Sequence, residues 1–175
     1  MAAVMFSYGS NLNIDGMARR CPAAVPIGEF QLPGWRLVFR GVADIIREEG
    51  AVCYGGIWRI TPACERTLDV FEGVASGVYR REFIPIKPLQ DGTNEVLIYT
   101  MSSTGIFPPS VDYLNVIRQG YRDFSMPKVG WHALSAAVRE SWDDKAPSFL
   151  ELWRYRREGR PPLAARPKVA EGDDE

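Results

Sequence analysis

Histidine occurs once, at His132, in a chain of 175 residues. That scarcity leaves little material for imidazole metal ligation or for an imidazole base. Cysteine is nearly as sparse. Cys21, Cys53 and Cys64 are odd in number and lack paired spacing, which argues against a disulfide framework and against a zinc site. No motif sets a cysteine beside His132 for a Cys–His nucleophile, and no Gly-x-Ser-x-Gly elbow occurs. Excess charge is missing too: 21 Lys and Arg against 22 Asp and Glu leave a net charge of −1. Such a chain has no general attraction for nucleic acid or anionic membrane. No apolar run approaches the roughly twenty residues of a membrane span. The opening Met1–Tyr8 also lacks the basic and long apolar regions of a signal peptide. The expectation is a cytoplasmic protein with no membrane partner, no nucleic acid and no metal. Its chemistry would run on carboxylates, tyrosines and backbone amides.

What is present describes an ordinary globule, 46% hydrophobic and 25% charged, with one domain expected over 1–158. The tail, 159–175, turns Pro- and Arg-rich and then acidic, and is expected to be mobile or loosely packed. Ala2–Tyr8 reads as a first strand running into a tight Gly9-Ser10-Asn11 loop, followed by a short helix over about 13–20 capped by Asn11 or Asn13. Pro26, Pro33 and Gly34 suggest a broken or strongly bent strand over 25–39, followed by another. Arg40–Gly50 reads as a charged connecting segment. Ala51–Ile60 is a strong strand, whose Gly55-Gly56 marks a bulge or a place where something packs on bare backbone. Thr61 and Pro62 then open a helix as N-cap and first helical residue, with Leu68 and Phe71 on one side.

Two β-rich runs, Val78–Pro88 near a sheet edge and Glu95–Ser102, flank the hairpin signal Asp91-Gly92. Helices are expected over 111–121, introduced by Pro108-Pro109-Ser110, over 128–140, and over 148–157. The last carries the Arg154-Tyr155-Arg156-Arg157 cluster, either a solvated helix end or a contact for an anionic partner. Strands dominate the first hundred residues and helices the remainder. The fold class is therefore α+β, with a strongly curved, barrel-like sheet.

Two local features carry possible chemistry. Glu72 ends the helix opened by Thr61, and Gly73 follows as a left-handed cap. Carbonyl dipoles at a helix C-terminus disfavour a carboxylate, and burial adds to that, so Glu72 is either a solvated acid or a proton carrier of raised pKa. Tyr8, Gly9, Ser10, Asn11 and Leu12 form either a plain strand–helix turn or a cradle of backbone N–H groups for a carboxylate. Arg80 and Arg81 are adjacent on a strand and point to opposite faces, one to an anionic ligand or both to surface ion pairs.

Four motifs in order resemble a known family. Phe6-Ser7-Tyr8-Gly9-Ser10-Asn11-Leu12 is similar to the opening motif of the γ-glutamylcyclotransferases and the related AIG2-like proteins. Leu68-Asp69-x-x-Glu72-Gly73-Val74-x-Ser76-Gly77-x-Tyr79 resembles their catalytic segment. Leu97–Met101 and Pro108–Ile117 are similar to their later strand and helix. The resemblance spans about 4–138 and implies a compact mixed barrel with flanking helices, often a homodimer, working without cofactor on a small γ-glutamyl substrate. It implies that Glu72 is the acid/base, that Tyr8–Leu12 hold the substrate, and that Tyr79, Tyr99 and Tyr113 line the pocket. The activity implied is release of 5-oxoproline from a γ-glutamyl compound. A tailoring enzyme for a γ-glutamylated metabolite and a non-catalytic binding protein are the alternatives on the same fold.

Overall fold

The computed structural model describes residues 2–142. The expected helix over 148–157, its arginine cluster and the tail from 159 lie outside the described residues. Five strands, β1 (Ala3–Ser7), β2 (Val25–Phe39), β3 (Ala43–Ile60), β4 (Tyr79–Pro85) and β5 (Glu95–Met101), form one sheet in the order β2-β3-β1-β5-β4. Four helices accompany it: α1 (Ile14–Arg20), α2 (Pro62–Phe71), α3 (Val111–Asp123) and α4 (Lys128–Ser141). The class is α+β as expected. The sheet is mixed but open: β2 and β4 are its two edges, so barrel-like describes its curvature and not closure.

The strand β1 is central and buried on both faces, which is why it reads as a continuous apolar run. It runs antiparallel to β3, from Ala3↔Ile60 to Ser7↔Gly56, and parallel to β5 through Met5↔Leu97. Each flank is an antiparallel hairpin, β2–β3 on one side and β4–β5 on the other. The edge position expected for the Pro-containing β4 is the one it occupies.

One expectation is met and one is corrected. The segment 25–39 is a single bent strand followed by another, with register shifts at Pro26/Gly28 and Pro33/Trp35 that bend it without ending it. Proline removes a ladder donor, and the bulges absorb that loss. The segment Arg40–Gly50 is not a connection, because β3 already starts at Ala43 and pairs back through Phe39↔Ala43 and Leu37↔Ile45. Its charged Glu48-Glu49-Gly50 belongs to the second bulge, where β2 passes from Pro33 to Trp35 while β3 passes from Val52 to Arg47. Only Arg40–Val42 turn. The tip is anchored by Gly41 N–H donating to Phe107 O at 3.0 Å and Phe107 N–H to Phe39 O at 2.8 Å.

The core gathers Met5, Phe6, Leu12, Met17, Phe39, Ile45, Trp58, Leu68, Leu97, Ile117 and Tyr121 between the sheet and its helices. Gly55 and Gly56 are a packing site and not a bulge. Their register with Phe30 and Glu29 is unbroken, and a Cβ on Gly56 would lie 2.4 Å from the Phe124 ring. That ring meets Trp58 edge-on at 5.4 Å. Bare backbone here lets the segment after α3 close over the sheet beside the end of β1.

Candidate active site

The end of β1 delivers Tyr8 and Gly9 to a single 3-10 turn, Ser10–Leu12, and Asn13 then caps α1 by accepting from Gly16 N at 2.7 Å. The N–H groups of Leu12 and Asn13 are already bonded, to Gly9 O at 3.0 Å and Ser10 O at 3.2 Å. Leu12 is fully buried. It anchors the turn against α3 and does not line the cavity.

From the other side, α2 ends where the sequence expects it. Thr61 accepts from Cys64 N, Pro62 is the first helical residue, and Glu72 is the C-cap with its N–H on Leu68 O at 2.8 Å. Gly73 is left-handed at φ 65°, a conformation costly for a side-chain-bearing residue. The chain can therefore turn sharply just after the carboxylate. Leu68 faces the core, but Phe71 does not share that face as expected: it is half exposed, beneath the Arg20 guanidinium at 4.3 Å. Steps of three residues drift from a helix stripe, and Phe71 falls at its margin.

The cavity between these ends is lined by Tyr8, Gly9, Ser10, Asn11, Ala43, Glu72, Tyr79, Tyr99 and Tyr113, with Met5, Phe6 and Ser7 at its floor. Of the nine residues singled out from the sequence, eight are brought together here, and Leu12 supports them from behind. The tyrosine hydroxyls are engaged with main chain and with Asp69. Tyr8 donates to Tyr99 O, Tyr79 to Ala43 O at 2.8 Å, and Tyr99 to Asp69 Oδ1 at 2.8 Å. The Tyr113 oxygen accepts from Ala43 N at 3.1 Å. The group that meets Glu72 is Asn11, whose Nδ2 donates to Oε1 at 2.8 Å.

Burial raises the Glu72 pKa above the ordinary carboxylate value, while the Asn11 hydrogen bond and the positive charge of Arg20 pull it part of the way back. Burial also lifts Tyr113, to about 12, and Tyr8 well above the ordinary phenol value, with nearby negative charge adding to the shift. The cavity therefore holds one titrating carboxylate among neutral phenols. Arg81 pairs with Asp69 at 2.9 Å and Glu65 at 3.6 Å on α2, the surface ion-pair role. Arg80, on the other face, borders a separate groove with Trp35, Arg47 and Glu82. Among the described residues no three His, Cys, Asp or Glu side chains come together as a metal site.

The AIG2-like family model matches residues 52–134, which carry Glu72, Tyr79, Tyr99 and Tyr113. The γ-glutamylcyclotransferase of Mus musculus is 28% identical over 158 residues, covering 83% of this chain and 84% of the relative. Its Homo sapiens counterpart is 26% identical over 160 residues, with the same coverage of both chains. Among solved structures, a γ-glutamyl cyclotransferase superposes with a TM-score of 0.70 at 24% identity, over 91% of this chain and all of the other. That likeness shows the fold: the open mixed sheet and its helices are those of the γ-glutamylcyclotransferases.

Sequence reasoning assigned no site role to Arg20, Asp69 or Ala43. Asp69 had a readable signal, since it stands three residues before Glu72 on the same helix and so shares its face. Ala43 acts through its backbone, as acceptor from Tyr79 and donor to Tyr113, and no side chain advertises that. Arg20 reaches the site only because α1 folds back against the 3-10 turn, where its Nη2 donates to Asn11 Oδ1 at 2.9 Å.

Proposed function

We propose that this chain is a γ-glutamyl cyclotransferase, releasing 5-oxoproline and an amine or amino acid from a small γ-glutamyl compound. The observation that carries the reading is Glu72. It is a partly buried carboxylate with its pKa raised by desolvation, held by the side chain of the loop that would also hold the substrate.

The nucleophile is the substrate's own α-amine, so the reaction needs no serine or cysteine from the protein. Holding the γ-glutamyl chain folded can supply much of the rate, since oriented intramolecular reactions reach effective molarities of roughly 10⁵–10⁸ M. Glu72 removes a proton from the α-ammonium. The freed nitrogen attacks the γ-carbonyl carbon, forming the ring C–N bond, and the bond to the departing nitrogen then breaks. The lactam nitrogen keeps one hydrogen, so the α-ammonium gives up two protons in all. Both end on the departing amine by way of Glu72, which finishes as it began. The substrate carboxylate is received by the amides of Gly9 and Asn11 at the mouth of the turn, since those of Leu12 and Asn13 are bonded inside it and that of Ser10 faces the Tyr113 oxygen. The tyrosines, their hydroxyls tied to main chain and to Asp69, act as rigid walls that shape the pocket. A homodimer in the cytoplasm is the setting this reading carries with it.

Purified protein is incubated with glutathione, γ-glutamyl dipeptides, γ-glutamyl-ε-lysine and γ-glutamyl amines, and 5-oxoproline is followed. Turnover is expected with at least one of them. Glu72→Gln keeps the shape and loses the titrating group, so turnover should fall by about 10²–10⁴-fold while the fold survives. A Glu72→Gln variant with most of its activity removes Glu72 from the mechanism. No product from any compound favours a binding protein on the same fold.

A further inference from the structure

The two carboxylate oxygens of Glu72 are not equivalent. Oε1 accepts from Asn11 Nδ2 at 2.8 Å, and the same amide's Oδ1 accepts from Arg20 Nη2 at 2.9 Å. A carboxamide has one donating end and one accepting end, whereas a guanidinium only donates and a carboxylate only accepts. Turning the Asn11 amide over would set its NH2 against the guanidinium and its oxygen against the carboxylate, losing both bonds. Arg20 therefore fixes which way Asn11 points. Arg20 is itself held, by its stack over Phe71 at 4.3 Å and a longer bond from Nη2 to Ser10 O at 3.4 Å. Its Nε is buried without a partner, an expense that a freely solvated arginine would not carry.

We propose that Arg20 is a positioning residue: acting through the Asn11 amide, it reserves Glu72 Oε1 and leaves Oε2 as the oxygen that takes and returns the proton. The inference rests on the cyclotransferase reading and deepens it. Oε2 accepts the proton from the α-ammonium nitrogen and gives it to the departing nitrogen. Oε1 keeps its bond from Asn11 throughout, because it accepts both as part of a carboxylate, where the bond is stronger, and as the carbonyl oxygen of the protonated acid, where it is weaker. The shuttle thus runs without rearranging its support.

The groups that face Glu72 leave Arg20 as the cation with leverage on it. Tyr8 on β1, Tyr99 on β5 and Tyr113 on α3 are phenols raised above their ordinary value. Tyr79 on β4 donates to Ala43 O. Asp69, one turn back on α2, is bonded to Tyr99 and Arg81. Arg20 and Asn11 are the two groups that pull Glu72 toward its ionised form.

The test is a cycle of Arg20→Met, Asn11→Ala and the double variant, with Arg20→Lys as the conservative partner. Each is measured for kcat, KM, the acid limb of kcat/KM against pH, and the titration of Glu72 by carbon NMR of labelled protein. Arg20→Met and Asn11→Ala should each lower kcat by about 10–100-fold, the scale of a misplaced reacting group. Both should move the acid limb and the NMR titration to higher pH. The double variant should be little worse than Asn11→Ala, because Arg20 acts through that amide. Arg20→Lys should return the acid limb toward the wild-type position. Additive losses, or an unmoved titration in Arg20→Met, overturn the proposal. If the wild type makes no 5-oxoproline, the cyclotransferase reading fails; the positioning stands if the titration shift of Arg20→Met shrinks in the Asn11→Ala background and fails if it persists there in full, because charge alone would act in both. An active wild type with an unmoved titration fails the positioning alone. Should Arg20→Met not fold, Arg20→Lys and Asn11→Ala carry the same titration test.

Discussion

Gly120→Ala sets two physical effects against each other, and the structure decides between them. Gly120 sits in the third turn of α3, on the buried face that crosses the 3-10 turn. In isolation the helix should welcome alanine, by about 0.8–1.0 kcal/mol. A Cβ at this position, however, would lie 2.4 Å from Leu12 Cβ, 2.6 Å from Leu12 C and 2.8 Å from Asn13 N. None of those atoms can rotate away, because all belong to main chain or to a Cβ fixed by it. The helix must therefore lift off the turn. Overpacking of a tight interior costs about 1–3 kcal/mol, and contacts against backbone belong to the upper half of that range. The difference is a net loss of about 1–2 kcal/mol, or about 2–8 °C in Tm at the 2–4 °C per kcal/mol typical of chains this long. Urea denaturation should show a lower midpoint with an unchanged slope. The displaced turn should also carry Asn11 away from Glu72, so turnover should fall beyond what stability explains. A variant as stable as wild type, or more so, would mean that helix propensity outweighs the crossing contact. The packing argument would then be wrong.

Two further outcomes follow from the buried charges. Asp44 is 1% exposed and accepts from Arg40 Nε at 2.7 Å and Met101 N at 2.9 Å. Asp44→Ala strands an inward arginine and a β5 amide, and should cost about 3–5 kcal/mol by urea denaturation; a loss under 1 kcal/mol would contradict this. The raised Glu72 pKa makes a prediction of definite sign. The unfolded chain gives up this proton at lower pH than the folded one, so the wild type loses stability as pH rises from the unfolded pKa through the folded one, and holds level above. Glu72→Gln lacks that loss. Its stability relative to wild type should rise across the same window and should be nearly equal at the acid end. Parallel curves at all pH values would show that Glu72 is not desolvated.

Much of the architecture was legible wherever its cause was local. Asn13, Thr61 and Ser110 cap three helices through their own side chains, and Gly73 had to follow Glu72 because the turn there is left-handed. The reach of β3 was hidden because Arg40–Gly50 is charged, and charge in a short window resembles a loop. Its inward residues, Ala43, Asp44 and Ile45, are buried by the partner strand and by Arg40, which no local pattern reports. The same limit hid Arg20. Its relation to Glu72 passes through Asn11 across the meeting of α1 and the end of α2, and a linear reading places those residues in separate elements. The tyrosines gather around one cavity, but the main-chain partners of Tyr8, Tyr79 and Tyr113 on β3 and β5, and the Asp69 partner of Tyr99 on α2, are set by packing that no local pattern reports.

The position of β1 bears on how the chain comes to be active at all. Its two sheet neighbours belong to separate hairpins, each closed by residues near in sequence, whereas Met5 meets Leu97 across most of the described chain. Closing so long a loop is an entropic outlay that is repaid only when both hairpins already offer an edge to receive the strand. On a growing polypeptide β1 precedes both of its partners, can pair with β3 once Ile60 has been made, and keeps its other, apolar edge free until β5 has been synthesised. Tyr8 and the turn that follows ride on its end, so the cavity and the last strand pairing arrive together. A chain that has acquired only its hairpins has no pocket to offer a substrate.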